Sequence, residues 1–241
     1  MANKATMNPI RAVILDMDGV MVDSEHQWRL IEGPSLKRLV GRWGARDHRK
    51  VVGLGVEDVH SLLVREYGLR MKKADFLAHS EALALEVYRR KVSLTPGLRE
   101  CLRSWRRAGL RLGLASSSPR AWVDLVLRRF RLGRAFRAVT TADDVSGRTK
   151  PAPDLYLLAA RRLGVPPGAC LAVEDSELGV RAAKAAGLAC VGLRSGCNDE
   201  QDLSRADWEE RGFSGLRYRG LISRLKATWA ATNLPHCVSK A

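Results

Sequence analysis

In the stretch Arg11-Ala-Val-Ile-Leu15-Asp16-Met-Asp18-Gly19-Val20, four aliphatic residues run without interruption into a pair of acids. A short apolar run that stops at an acid is how a strand buried on both faces of a parallel sheet reads. Three later runs share that form: Leu110 to Ala115, Cys170 to Val173 and Ala189 to Leu193. Helical periodicity separates each from the next. Ser118 before Pro119, and Ser176 after Asp175, are placed to cap the helices that follow. Gly109 and Gly187 stand where helices over Leu98 to Ala108 and Glu177 to Ala186 should stop. The recurring unit of helix, glycine stop, strand, polar loop and cap predicts an α/β fold, a Rossmann-like parallel sheet with right-handed crossovers and helices on both faces.

Between the first strand and the second, residues 25–92 show only amphipathic helical patterns, among them Val56 to Tyr67 and Ala74 to Arg90. They read as a small all-helical insert closed by the breaker Thr95-Pro96-Gly97. The expected organisation is an N-terminal tail (1–9), a core domain (10–24 and 93–222), the helical insert (25–92) and a C-terminal helix and tail (223–241).

Composition narrows the function classes. The chain has 241 residues, 46% of them hydrophobic, enough for a full core. No stretch reaches the roughly 18 apolar residues of a membrane span, and the N-terminus lacks a secretory apolar region. A cytoplasmic protein, acting as a monomer, is expected. Cys101, Cys170, Cys190, Cys197 and Cys237 form no C-x-x-C pair and are odd in number, which argues for reduced thiols rather than disulfides or zinc. The formal charge is +15 and the pI about 10.2. Its 31 Arg and 10 Lys are spread along the chain. Arg103, Arg106 and Arg107 share one helical face away from Leu102 and Trp105, as on a solvated surface; a polyanion-binding patch is the alternative.

Ligands of an open parallel sheet bind beyond the carboxyl ends of its strands. Those ends and nearby loops carry Asp16-Met-Asp18, Ala115-Ser116-Ser117-Ser118, Lys150-Pro151 and Glu174-Asp175-Ser176. Taken singly, each has a plain structural explanation as a turn, a cap or a surface residue. Together they suit phosphoryl transfer to a carboxylate. A carboxylate approaching a phosphate is repelled by about 4 kcal/mol per charge pair at 4 Å and an effective dielectric near 20. A hard divalent cation on the acids, with Lys150, would offset that repulsion. Ser116, Ser117 and loop N–H groups can hold the phosphoryl oxygens.

The set Asp16-Met-Asp18-Gly19-Val20, Ser116, Lys150-Pro-Ala-Pro153 and Glu174-Asp175-Ser176 resembles the four signature motifs of the haloacid dehalogenase superfamily, in order and spacing. The strings Asp16 to Glu25 and Glu174 to Gly187 resemble its β-phosphoglucomutase-like phosphatase branch. The resemblance spans about Ile10 to Leu193 and is weaker in the insert. It implies that Asp16 is the nucleophile and Asp18 the general acid and base. Asp16, Asp18 (by its carbonyl) and Asp175 would hold Mg2+, with Glu174 joining them or lying just behind. Ser116 and Lys150 would bind the phosphoryl group, and the insert would be a mobile cap.

Dehalogenases of the superfamily lack the second aspartate, so Asp18 points away from the namesake reaction. Mutases of the branch are expected to carry K-G-x-x-R-E-D-S in the cap. Here the stretch reads Val52-Gly53-Leu54-Gly55-Val56-Glu57-Asp58-Val59, with valine in place of the Lys, Arg and Ser. The mutase histidine is replaced by Trp28. Hydrolysis of a small phosphorylated metabolite, a sugar phosphate foremost, is therefore expected, with Gly53 and Trp28 on the substrate side of the cap. The alternatives are a hexose-phosphate mutase, a nucleotide or flavin monophosphate phosphatase, and, in another class, a polyanion-binding protein. No nucleic-acid motif accompanies the arginines.

Overall fold

The computed structural model describes residues 10–196 and 198–232. The expected N-terminal tail, Cys197, and residues 233–241 with Cys237 lie outside the described residues. Strands β1 (Ala12–Leu15), β2 (Arg111–Ala115), β3 (Ala138–Thr140), β4 (Cys170–Glu174), β5 (Ala189–Arg194) and β6 (Trp208–Arg211) form one sheet. Their spatial order is β3-β2-β1-β4-β5-β6, and every pairing is parallel. β1 is central, and the chain's direction of travel across the sheet reverses beside it, which opens a crevice at its carboxyl end.

Side chains alternate across this sheet, so each strand serves two cores. Val13, Leu15, Leu112, Leu114, Leu171, Val173, Val191 and Leu193 face one way. There they meet α5 (Leu98–Arg107), α6 (Arg120–Arg129) and α9 (Tyr218–Thr232). Ala12, Ile14, Cys170, Ala172 and Cys190 face the other way, against α7 (Asp154–Leu163) and α8 (Glu177–Ala185). The second face is built largely from Ala and Cys, which lets its helices approach closely. Cys101, Cys170 and Cys190 are buried free thiols, serving as small apolar residues.

Residues 25–92 hold α1 (Glu25–Val40), α2 (Ala45–His48), α3 (Val56–Tyr67) and α4 (Lys73–Glu86), the last running into a π-helical turn at Val87–Lys91. Leu36, Val51, Val59, Leu62, Leu63, Leu69 and Phe76 give this segment a small core of its own. Fully burying each such side chain is worth about 1.5–3 kcal/mol. Its two connections to the sheet run side by side, with Asp23 N–H donating to the Ser93 carbonyl at 3.0 Å and Thr95 N–H to that of Met21 at 3.0 Å.

Several expectations are corrected. Strands β3 and β6 have no aliphatic run to announce them. The terminal helix begins at Tyr218, five residues before the expected boundary at residue 223. Ser118 does not cap α6: its hydroxyl donates to Asp18 Oδ2 at 3.0 Å, and Asp143 accepts from the Arg120 N–H at 2.6 Å instead. Ser176 does cap α8, accepting from the Gly179 N–H at 3.1 Å. On α5, Leu98, Cys101, Leu102 and Trp105 are buried while Arg103, Arg106 and Arg107 are exposed, as the periodicity indicates. No helix among the described residues is long and apolar enough to cross a membrane.

Candidate active site

Asp16 is the first residue past β1, and its N–H still donates to the Val173 carbonyl at 3.0 Å. Register sets Leu15 opposite both Leu114 and Val173, so Asp16 comes level with the ends of β2 and β4. Those ends deliver Ser116 and Ser117 on one side and Glu174 and Asp175 on the other. All five residues are buried. Lys150 arrives from the loop before α7, 1% exposed. Its Nζ lies 2.5 Å from Asp16 Oδ1 and 2.5 Å from Glu174 Oε1.

Glu174 is fully engaged. Oε1 also accepts from Tyr156 OH at 2.5 Å, and Oε2 accepts from Asp175 N–H at 3.2 Å and Ser176 Oγ at 3.3 Å. Asp175 differs. Its Oδ2 is buried with no hydrogen-bond partner, although Asn198 Nδ2 fixes its backbone carbonyl at 2.7 Å. Gly19 leaves room for that carboxylate: its φ is +70°, and a Cβ there would sit 1.8 Å from Asp175 Oδ2. Any side chain at Gly19 would be strained and would displace Asp175.

Asp16, Glu174 and Asp175 each bring an oxygen within 4.8 Å of the others. Three carboxylates facing one lysine leave a net excess of negative charge in a buried site. Burial accordingly pushes Asp16 up to about 8; Lys150 works against the rise, and Glu174 and Asp18 add to it. Burial and neighbouring acids, Glu25 first, push Asp175 up as well. Burial alone would lower Lys150, but Asp16 and Glu174 outweigh it and hold the ammonium above its usual value. An all-oxygen donor set with one orphaned carboxylate oxygen and uncompensated charge fits a hard divalent cation.

Asp18 sits across the cavity in a ring of hydroxyls. Ser24 Oγ and Tyr88 OH donate to its Oδ1, each at 2.7 Å, while Ser118 takes Oδ2. Tyr88 comes from the π turn that ends α4 and is fully buried. Its ring meets Trp28 edge-on at 5.7 Å, and Trp28 also lies 5.7 Å from Trp122. The cap and the sheet's loops are further joined by Thr149 Oγ1 donating to Asp58 at 2.8 Å, Arg129 Nη1 to the Tyr88 carbonyl at 2.6 Å, and a Trp122 to Glu81 hydrogen bond. Gly53, at φ +82°, brings its loop against Ser176, where a Cβ would approach Oγ to 2.7 Å.

These residues enclose a cavity of about 80 Å3 lined by Asp16, Asp18, Ser116, Ser117 and Lys150 below and by Trp28, Val52, Gly53, Leu54 and Val56 above. The structure thus gathers Asp16, Asp18, Ser116, Ser117, Lys150, Gly53 and Trp28 around one space, with Glu174 and Asp175 behind Asp16. The sequence reading missed Ser24, Tyr88, Glu25, Glu32 and His48. Glu25, Trp28 and Glu32 recur at helical spacing on α1, a signal that was present but indistinguishable from an ordinary amphipathic face.

A crevice of this make-up at the ends of a parallel sheet fits an enzyme of phosphoryl chemistry. The sequence profile of the haloacid dehalogenase-like hydrolases matches residues 10–187, and the chain belongs to that family. It is a phosphoric monoester hydrolase. Protein CbbY of Rhodobacter capsulatus is 32% identical over 225 residues, covering 83% of this chain and 92% of that one. Hexitol phosphatase B of Escherichia coli (strain K12) is 34% identical over 184 residues, covering 76% and 82%. Among solved structures, a variant of CbbY from Rhodobacter sphaeroides in complex with xylulose-(1,5)bisphosphate superposes with a TM-score of 0.76 at 27% identity, covering 88% of this chain and 99% of that one.

Proposed function

We propose that the chain is a Mg2+-dependent phosphatase of small phosphomonoesters, sugar and sugar-alcohol phosphates foremost, working through an aspartyl-phosphate on Asp16. The observation that carries this is the Asp16 carboxylate at the end of β1, held by Lys150 on Oδ1 and faced by Asp18 across the same cavity. Asp16 Oδ2 forms the new bond to phosphorus as the ester P–O bond breaks, and Asp18 gives its proton to the departing alkoxide. Asp18 then takes a proton from water, which attacks phosphorus and releases phosphate from Asp16. Ser116, Ser117 and Lys150 hold the equatorial oxygens; Ser117 Oγ is buried without a partner and free for that bond.

Asp16, Asp175 and the Asp18 carbonyl would hold Mg2+, which supplies charge neutralisation to the phosphoryl oxygens when bound. Glu174 is the anchor of Lys150 and Tyr156 rather than a free ligand. Protein stripped with EDTA should release no phosphate from a chromogenic monoester, and added Mg2+ should restore turnover. Undiminished activity in EDTA contradicts the metal assignment.

Hydrolysis is favoured over mutase activity because no cap cation lines the cavity among the described residues. A mutase needs such a charge to grip its second phosphate.

Tyr88 supports the acid and base by fixing Asp18. Tyr88→Phe removes one of three hydroxyl donors and keeps the ring stack, so kcat is expected to fall about tenfold with KM little changed. A wild-type kcat in this variant would remove Tyr88 from the mechanism.

A further inference from the structure

The cap wall of the cavity holds two polar side chains that the chemistry above does not use, Glu32 and His48. Glu25 belongs to the phosphoryl end, since Asp18 and Asp16 are the acids that act on it most. Glu32 is seven residues further along the same face of α1, about 10 Å by helical rise. It therefore stands where a leaving group would extend, past the indole of Trp28. Glu32 is half-buried, and desolvation raises its carboxyl to about 7.

His48 closes α2, lines the same cavity and is 9% exposed. Neither ring nitrogen has a hydrogen-bond partner. Burial, reinforced by Arg29, pushes the imidazole down to about 4, with Glu200 opposing weakly. The ring is neutral at working pH, with one nitrogen donating and the other accepting. A buried imidazole with both nitrogens unpaired is uncommon and points to a partner that is absent until a ligand arrives.

Around this pair the wall is apolar, formed by Trp28, Val51, Leu54 and Trp122. Lys150 is the one cation lining the cavity among the described residues, and Asp16 and Glu174 already engage it. Arg29 acts on His48 from an exposed position outside the lining, and a charged Glu32 within it would repel a second phosphate.

We propose that Glu32 and His48 form the leaving-group subsite, that they hydrogen-bond the hydroxyls of a neutral polyol or sugar, and that Glu32 rejects esters carrying a second phosphate. Glu32 accepts from a hydroxyl and His48 both accepts and donates, so together they read adjacent hydroxyls while Trp28 packs on the carbon chain. The inference rests on the phosphatase reading and deepens it. It also separates this chain from the relative that was solved with a bisphosphate.

The test measures kcat/KM for sorbitol 6-phosphate, phenyl phosphate and fructose 1,6-bisphosphate in the wild type, Glu32→Leu, Glu32→Gln and His48→Phe. The wild type is expected to prefer sorbitol 6-phosphate to the bisphosphate by about tenfold or more. In Glu32→Leu and His48→Phe the ratio of sorbitol 6-phosphate to phenyl phosphate should fall by about tenfold or more. Glu32→Gln, which keeps the volume and a hydrogen-bonding end, should retain most of that ratio and gain relative activity on the bisphosphate. Ratios unchanged in the variants, or all substrates falling together, overturn the subsite. A wild type that prefers the bisphosphate overturns the exclusion. No phosphate release from phenyl phosphate by the wild type overturns the phosphatase reading and the subsite with it.

Discussion

Asp16→Asn is expected to reduce phosphate release by about 10^4-fold or more while leaving the fold intact. The amide matches the carboxylate in shape, so the position at the end of β1 and the hydrogen bond to the Val173 carbonyl persist. What disappears is the nucleophile. Residual catalysis would come only from positioning and from Lys150 acting on a water. Stability should change little, because burial already disfavours the Asp16 charge and Lys150 keeps Glu174 as its partner. A thermal melt and a steady-state assay on the same preparation separate the two effects. An active Asp16→Asn enzyme would place the chemistry elsewhere.

Lys150→Ala should damage both activity and stability. The ammonium bridges Asp16 and Glu174 at 2.5 Å each in a site with almost no solvent contact. Removing one partner of a buried ion pair leaves uncompensated charge and costs about 3–5 kcal/mol. Loss of its proposed contact with the phosphoryl oxygens should lower kcat by a further factor of about 10^2–10^3. The pH dependence has a fixed sign. Asp16 is already raised from 3.8 to about 8 with the lysine present, and losing Lys150 removes a group that lowers it. A carboxyl whose folded pKa exceeds its unfolded value stabilises the fold when protonated and loses that contribution as pH rises through the folded pKa. The metal-free variant should therefore melt higher at about pH 6 than at about pH 8. A variant as stable as the wild type at both pH values would show that Lys150 does not hold the site together.

The candidate site was largely legible because its residues sit at strand ends, and four strands are aliphatic runs broken by polar residues. Asp16, Ser116 and Asp175 follow such runs directly or within a residue of their end. β3 escaped notice because Ala138-Val-Thr140 is three residues long between Arg137 and Thr141. β6 is an edge strand with the sequence Trp-Glu-Glu-Arg, one buried position in four, so no apolar run was required of it. Ser118 shows the limit of local rules. Its place before a proline predicts a cap, but a half-buried carboxylate 100 residues away in sequence takes its hydroxyl.

The cap is harder to read for the same physical reason. Its cavity-lining polar residues lie on helices, where a side chain at Glu32 or His48 looks like any other solvated position until tertiary packing turns it inward. Trp28, Val52, Leu54 and Val56 did indicate an apolar inner surface, and they do line the cavity. Tyr88 had no sequence signal at all, since its place depends on the π turn that rotates the end of α4 toward Asp18.

The central claim is covalent catalysis by Asp16, and its most direct measurement is mass spectrometry of the protein quenched in acid during turnover of a phosphomonoester with Mg2+. The account predicts one added phosphoryl group on the peptide containing Asp16, absent in Asp16→Asn and discharged when substrate is exhausted. Steady turnover with no phosphoryl group on that peptide at the shortest quench times, or a label on another residue, would contradict it.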